Sequence, residues 1–175
     1  MKTKSNILFY RSLKTVILIT VILSLNSVNS FAGKGKTNFT GKWTLNESTS
    51  TLSQGGFGPA KMLNITQEGN NLNIAQTRTN RDSEEQVFTL KYTLDGKECD
   101  NSNQRRTSKS VLSWSEDGKV LTINTTSTSE RNGQTVETKS VEIWKLAADG
   151  KSIVIEQTVN SSRGERKSIL NYEKK

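Results

Sequence analysis

Few residue types that support catalysis occur in this 175-residue chain, which has no histidine and a single cysteine, Cys99. Without imidazole, neither a Ser-His nor a Cys-His pair can form, and the usual zinc sites are excluded. Cys99 stands between Glu98 and Asp100, whose negative charges disfavour the thiolate that a nucleophile needs. One cysteine also cannot close a disulfide within the chain. We therefore expect no metal site, no cofactor and no thiol chemistry.

Carboxylate pairs are the other candidates for catalysis. General acid–base chemistry needs two carboxylates that converge in one cleft with pKa values pushed apart. The paired acids instead flank predicted turns, where such side chains are usually solvated: Glu84-Glu85, Glu98 with Asp100, and Glu116-Asp117. Glu142 and Glu156 lie within predicted strands, where we expect outward, hydrated side chains. The sequence therefore predicts that the protein is not an enzyme.

Aromatic side chains are better candidates for function, because aromatics that converge on one cavity can hold a small apolar molecule. Seven of them come from separate parts of the chain: Trp43, Phe57, Phe88, Tyr92, Trp114, Trp144 and Tyr172. The same residues could instead fill a hydrophobic core, and the low apolar content of the chain favours that alternative. Phe57 belongs to the longest predicted loop, residues 47–60, which could act as a flap over a binding site.

Short strands must position these aromatics. Glycine-centred turn signals such as Asp95-Gly96 and Asp149-Gly150 recur along the chain, and they favour tight hairpins because glycine accepts positive φ. Between the turns, apolar and polar residues alternate with a period of two, which is typical of sheets with one buried face. The pattern predicts about nine strands: 39–46, 61–67, 71–79, 85–94, 104–114, 119–129, 134–146, 151–161 and 166–173.

Tight turns make successive strands antiparallel, and a long up-and-down sheet exposes two edges unless it closes. The sequence therefore predicts an all-β fold, an antiparallel up-and-down meander closing into a β-barrel of eight to ten strands. The stretch from Val141 to Leu146 has apolar residues on both faces. That pattern predicts either a bulge or an outer face that is covered by a partner.

The first 32 residues have the order of a secretory signal peptide. Residues 1–14 carry four basic residues and no acid, residues 15–25 are almost entirely apolar, and Ser30 and Ala32 fit the −3 and −1 positions of a cleavage site. The apolar stretch is too short to span a membrane. We expect a bacterial, periplasmic or secreted product, a single domain over 33–175 without a transmembrane segment. Its 21 basic against 17 acidic residues are scattered, which argues against nucleic-acid binding.

The segment Phe39-Thr40-Gly41-Lys42-Trp43 resembles the Gly-x-Trp signature with which lipocalins and their calycin relatives begin. From this motif to Lys174, the chain also resembles small exported bacterial proteins described as lipocalin-like. The resemblance implies a lipocalin-like barrel in which Trp43 closes one end. In lipocalins an arginine near the last strand stacks on that tryptophan. Arg163 or Arg166 could do so here, although both also fit as ordinary turn and edge charges, which is the interpretation that we favour.

Two functions follow as expectations. The first is binding of a small apolar or amphiphilic ligand inside the barrel, with loop 47–60 as a flap. The alternative is a filled barrel that acts as a cell-envelope protein-interaction or structural module, with an exposed apolar patch around Val141 and Ile143. A carrier needs an open cavity, whereas an interaction module needs a packed interior.

Overall fold

The structure is a computed structural model that describes residues 35–53, 58–80, 82–131 and 133–175. The predicted leader, residues 1–32, lies outside these ranges. The described part contains ten strands, numbered in chain order: β1 (Gly41–Leu45), β2 (Met62–Glu68), β3 (Asn71–Thr79), β4 (Glu85–Thr93), β5 (Glu98–Asp100), β6 (Thr107–Trp114), β7 (Val120–Arg131), β8 (Gln134–Leu146), β9 (Ser152–Ser161) and β10 (Gly164–Lys174). No helix in these ranges is long and apolar enough to cross a membrane.

All ten strands belong to one antiparallel sheet in the order β4-β3-β2-β1-β10-β9-β8-β7-β6-β5. The first and last strands pair with each other, with Trp43 opposite Lys174, so the meander curls into a nearly closed barrel. The predicted all-β antiparallel barrel of eight to ten strands is confirmed. The nine predicted strands omitted β5, because three residues with two acids show no apolar alternation.

The register of β8 is continuous with both neighbouring strands from Thr138 to Lys145. The described pairing therefore has no bulge where we predicted one. Val141 and Ile143 face outward, because Trp144 on the opposite face is buried. Both are half-buried by their neighbours on the outer surface rather than fully exposed.

Side chains rather than a strand ladder join β4 to β5, the two ends of the sheet. The Asn101 side chain accepts a hydrogen bond from the Lys91 amide at 2.8 Å and donates one to the Lys91 carbonyl at 2.9 Å. Two residues further along β4, the Thr93 amide donates to Cys99 Sγ at 3.1 Å. The amide of Asn101 thus imitates a peptide group and completes the barrel wall at this seam.

Replacing Asn101 with alanine should lower the free energy of unfolding by about 1 kcal/mol, because both hydrogen bonds to the Lys91 backbone are lost. Urea unfolding measures this change, and amide hydrogen exchange at Lys91 should accelerate. Asn124→Ala, at an exposed strand position, is the matched control and should change little. Equal stability of the two variants would show that the Asn101 bonds do not hold the seam.

The segment before β1 crosses one end of the barrel, which we call the closed end. The Thr37 amide donates to the Gly118 carbonyl at 2.9 Å, and the Phe39 amide donates to Gln67 Oε1 at 3.1 Å. The fully buried Phe39 ring lies 6.0 Å from Trp114 and 5.7 Å from Trp144, centroid to centroid. An aromatic cluster therefore fills this end.

Trp43 completes the closed end, with 1% of its surface exposed and its Nε1 donating to the Phe39 carbonyl at 2.9 Å. Lys174 lies over its ring, with Nζ 5.3 Å from the centroid, whereas Arg163 and Arg166 do not take this place. Gly41 has a φ of +151°, and a Cβ there would lie 3.2 Å from the Lys174 side chain and 3.3 Å from Trp43 Nε1. Glycine before this tryptophan is thus required by conformation and by space.

Candidate functional site

The inward faces of the strands change from apolar to polar along the barrel. On β3 the inward sequence runs from Leu72 and Ile74, both buried, to Gln76 and Arg78. On β8 it runs from the buried Trp144 to Glu142, and on β9 from Ile155 to Gln157. Inward-facing residues recur at every second position of a strand. The inward polar residues of β3, β8 and β9 therefore lie at the same end of the barrel. The end opposite the closed end, which we call the polar end, is the candidate site.

A cavity of about 290 Å³ lies at the polar end. Part of its wall is apolar, with Leu63, Ile155 and Leu170 buried beside Trp144 and Tyr172. Six polar side chains complete the wall: Ser53, Gln76, Arg78, Glu142, Gln157 and Ser168. The interior therefore is filled at one end and hollow, with mixed chemistry, at the other.

Glu142 is held inside the barrel by two neutral donors. Trp144 Nε1 donates to its Oε2 at 2.9 Å, and Gln157 Nε2 donates to its Oε1 at 2.9 Å. Our expectation of an outward, hydrated Glu142 is therefore wrong. The carboxylate is two residues from Trp144 and must share its inward face. Glu156 does face outward, where it pairs with Lys145 at 2.6 Å.

Arg78 faces the same cavity from β3. Its Nη1 donates to the Gly58 carbonyl at 2.8 Å, and its Nε and Nη2 donate to Gln76 Oε1 at 3.3 and 2.9 Å. None of the ion pairs between described residues includes Arg78 or Glu142. The cavity therefore presents a guanidinium and a carboxylate that are hydrogen-bonded but not paired with an opposite charge in the described part of the chain.

Three further titratable groups lie close to these charges. The Tyr172 hydroxyl donates to the Ala60 carbonyl at 2.8 Å, and burial raises the pKa of Tyr172 well above its usual value. Burial, and to a smaller degree the charge of Glu142, raises the pKa of Tyr92 likewise. Arg106 donates to Ser127 Oγ at 2.6 Å. Desolvation of this guanidinium, followed by the like charge of Arg78, lowers the pKa of Arg106.

The seven aromatics singled out from the sequence are distributed over the barrel rather than gathered at one site. Trp144 and Tyr172 line the cavity. Tyr92 is buried, whereas Phe88 on β4 keeps 47% of its surface exposed. Trp43 and Trp114 belong to the closed end, and Phe57 lies outside the described residues. Arg78 and Gln157 were not predicted as site residues, although both follow buried apolar residues on the same strand face.

Loop 47–60 contributes to the cavity wall through its described parts, 47–53 and 58–60. Thr51 exchanges backbone hydrogen bonds with Ile169 on β10 at 2.8 and 2.9 Å. The Ser53 amide donates to Ser168 Oγ at 3.2 Å. Residues 51–53 are therefore attached to the barrel wall, which differs from the flap that we expected over the whole loop. Residues 54–57 lie outside the described ranges.

Comparisons with known proteins give one distant structural similarity. No family model matches the chain, and no curated protein matches its sequence. The crystal structure of zebrafish ileal bile acid-binding protein, complexed with cholic acid, is similar with a TM-score of 0.47 and 20% sequence identity. The match covers 78% of this chain and 98% of that chain. A similarity of this extent is too distant to carry a functional conclusion.

Proposed function

We propose that this protein binds a small amphiphilic molecule in the barrel cavity and acts by sequestering it. The observation that carries the proposal is the cavity of about 290 Å³, whose largely polar wall includes a smaller apolar part and the charges of Arg78 and Glu142, neither of which has an ion-pair partner among the described residues. Its volume lies near the lower limit of about 300–1,000 Å³ for ligand pockets. A small ligand fits such a space better than a long-chain lipid.

The apolar part of the ligand would lie against Leu63, Ile155 and Leu170, because burial of apolar surface contributes roughly 25 cal/mol per Å². The head group would face Arg78. Its guanidinium has five N–H donors, of which the described contacts use three. A carboxylate, sulfonate or phosphate matches the remaining donors and the positive charge. Glu142 repels an anion, so its charge would orient the head group toward Arg78.

Export and the absence of catalysis belong to the same proposal. The basic, apolar and small-residue order of residues 1–32 supports removal of a leader and a periplasmic or secreted product of 33–175. A binding role agrees with a chain that lacks histidine and whose one cysteine is buried in the seam between β4 and β5. The alternative is a cell-envelope interaction module, in which the cavity at the polar end binds no ligand.

An anionic amphiphile tests the proposal directly. We expect 8-anilinonaphthalene-1-sulfonate, which joins an aromatic body to a sulfonate, to bind the folded protein with a gain in fluorescence. Arg78→Gln should weaken binding about tenfold, because a charge-assisted hydrogen bond contributes about 1.5 kcal/mol. Arg163→Gln removes the same charge from an exposed turn and should bind like the unmodified protein.

Two results would contradict this proposal. Equal affinities of Arg78→Gln and Arg163→Gln would place the probe outside the cavity. A folded protein without any binding of the probe, and without a small-molecule adduct in native mass spectra of the material as isolated, would favour the interaction module. Circular dichroism of each variant shows whether a loss of binding is a loss of the barrel.

A further inference from the structure

The cavity at the polar end contains one charge of each sign. Among the described residues that line it, Arg78 is the only cation and Glu142 is the only anion. Neither forms an ion pair within 4.0 Å with another described residue. The described wall of the cavity therefore carries no net charge, but each of its two charges lacks a counter-charge.

Both charged groups keep hydrogen-bonding capacity for a ligand. Two neutral donors, Trp144 Nε1 and Gln157 Nε2, contact Glu142, whereas a carboxylate can accept about four hydrogen bonds. The described contacts of Arg78 use three of its five N–H donors, and their acceptors are uncharged as well. These contacts orient the two side chains without neutralising them.

The Tyr172 phenol lies close to both charges. Burial is the main cause that raises the pKa of Tyr172; the charge of Arg78 lowers it, and the charge of Glu142 raises it further. Both charges therefore act on one hydroxyl group, which itself lines the cavity and donates to the Ala60 carbonyl at 2.8 Å. A single small molecule beside Tyr172 is thus within reach of the guanidinium and the carboxylate.

We propose that the ligand of this cavity is a small zwitterion, with an anionic group for Arg78, an ammonium group for Glu142 and an apolar part against Leu63, Ile155 and Leu170. This inference rests on the proposed binding function and narrows its ligand class. A ligand with a single negative charge compensates the guanidinium but brings a like charge to the carboxylate, and a cationic ligand does the reverse. A zwitterion compensates both, and charges removed from water are costly unless they are paired.

Ligand pairs that differ only in an ammonium group test this inference. Phenylalanine and 3-phenylpropanoate share one skeleton. So do 4-amino-3-phenylbutanoate and 3-phenylbutanoate, and the charges of this second zwitterion are further apart. All four compounds are small enough for a cavity of about 290 Å³. In isothermal titration calorimetry, the zwitterion of at least one pair should bind about tenfold more tightly than its monoanion, because it gains a charge-assisted hydrogen bond to Glu142.

Glu142→Gln should affect the two members of such a pair differently. The zwitterion loses about tenfold in affinity, whereas the monoanion binds equally well or more tightly because its repulsion from the carboxylate disappears. A folding defect would weaken both. Glu156→Gln removes the same charge from the outer surface of β9, where Glu156 pairs with Lys145. This variant is the matched control and should leave both affinities unchanged.

The inference is overturned if neither zwitterion binds more tightly than its monoanion, or if Glu142→Gln keeps the preference for the zwitterion. In both cases the sulfonate probe can still bind in an Arg78-dependent manner, and the proposed function then stands. Absence of binding for the probe and for all four compounds would contradict the proposed function itself. The two proposals can therefore be told apart when one of them fails.

Discussion

Well above pH 10, ionisation of two tyrosines in the unfolded chain should lower the stability of this protein with a slope that approaches about 2.7 kcal/mol per pH unit. Tyr92 and Tyr172 are 8% and 2% exposed, and burial raises the pKa of both phenols well above the ordinary value of 10.0. In the unfolded chain both phenols ionise near pH 10, whereas in the folded barrel they remain protonated. The unfolded state therefore binds fewer protons above pH 10, and each tyrosine contributes about 1.36 kcal/mol per pH unit to the loss.

Urea unfolding between pH 9 and 12 measures this slope, which reaches nearly its full value about one unit above the unfolded-state pKa. Stability should be insensitive to these two phenols below pH 9, where they are protonated in both states. Between pH 11 and 12, Tyr92→Phe should reduce the slope by about 1.36 kcal/mol per pH unit, because one of the two shifted phenols is removed. All other groups titrate in both proteins, so the difference between the slopes isolates Tyr92. Identical slopes would show that the Tyr92 phenol is not protected from ionisation.

Trp43→Ala should lower the free energy of unfolding by about 3–5 kcal/mol, the range for truncating a large aromatic in a core. Trp43 is 1% exposed and lies next to Phe39 at the closed end. Its loss leaves a cavity beneath Lys174 and removes the partner of the buried Phe39 carbonyl. Loss of this much stability is a large fraction of the roughly 5–15 kcal/mol that keeps a typical domain folded.

Two other substitutions separate the causes of this loss. Trp43→Phe keeps an aromatic ring but removes the Nε1 donor, and it should cost less than Trp43→Ala. Val111→Ala, at a position that is 40% exposed, should stay within about 0.5 kcal/mol of the unmodified protein. The comparison uses the urea midpoints together with the slopes of the transitions. A Trp43→Ala variant as stable as Val111→Ala would contradict the structural role of the closed end.

Local patterns determined the strands before any contact was known. Period-two alternation predicted β2, β3, β4, β7, β8 and β9 within a few residues, because a half-buried strand must alternate whatever it packs against. The tight glycine turns predicted that successive strands are antiparallel. A long meander has two exposed edges, which predicted that the sheet closes into a barrel. The fold class was thus available from the sequence, whereas β5 was not, because its short acidic segment is a strand only through its pairing with β6.

Tertiary structure decided the candidate site. Alternation groups Glu142 with Trp144, and Arg78 with Leu72, but it does not say which face turns inward. Burial of the apolar residues decides which face of each strand turns inward. The polar residues on that face therefore also lie inside the barrel. Arg78 and Glu142 lie at the same height in the barrel because of the pairing registers around the sheet. Five successive strand pairings link β3 to β8. The sequence by itself therefore determined the barrel, and only closure of the sheet brought the charged residues of distant strands to one cavity.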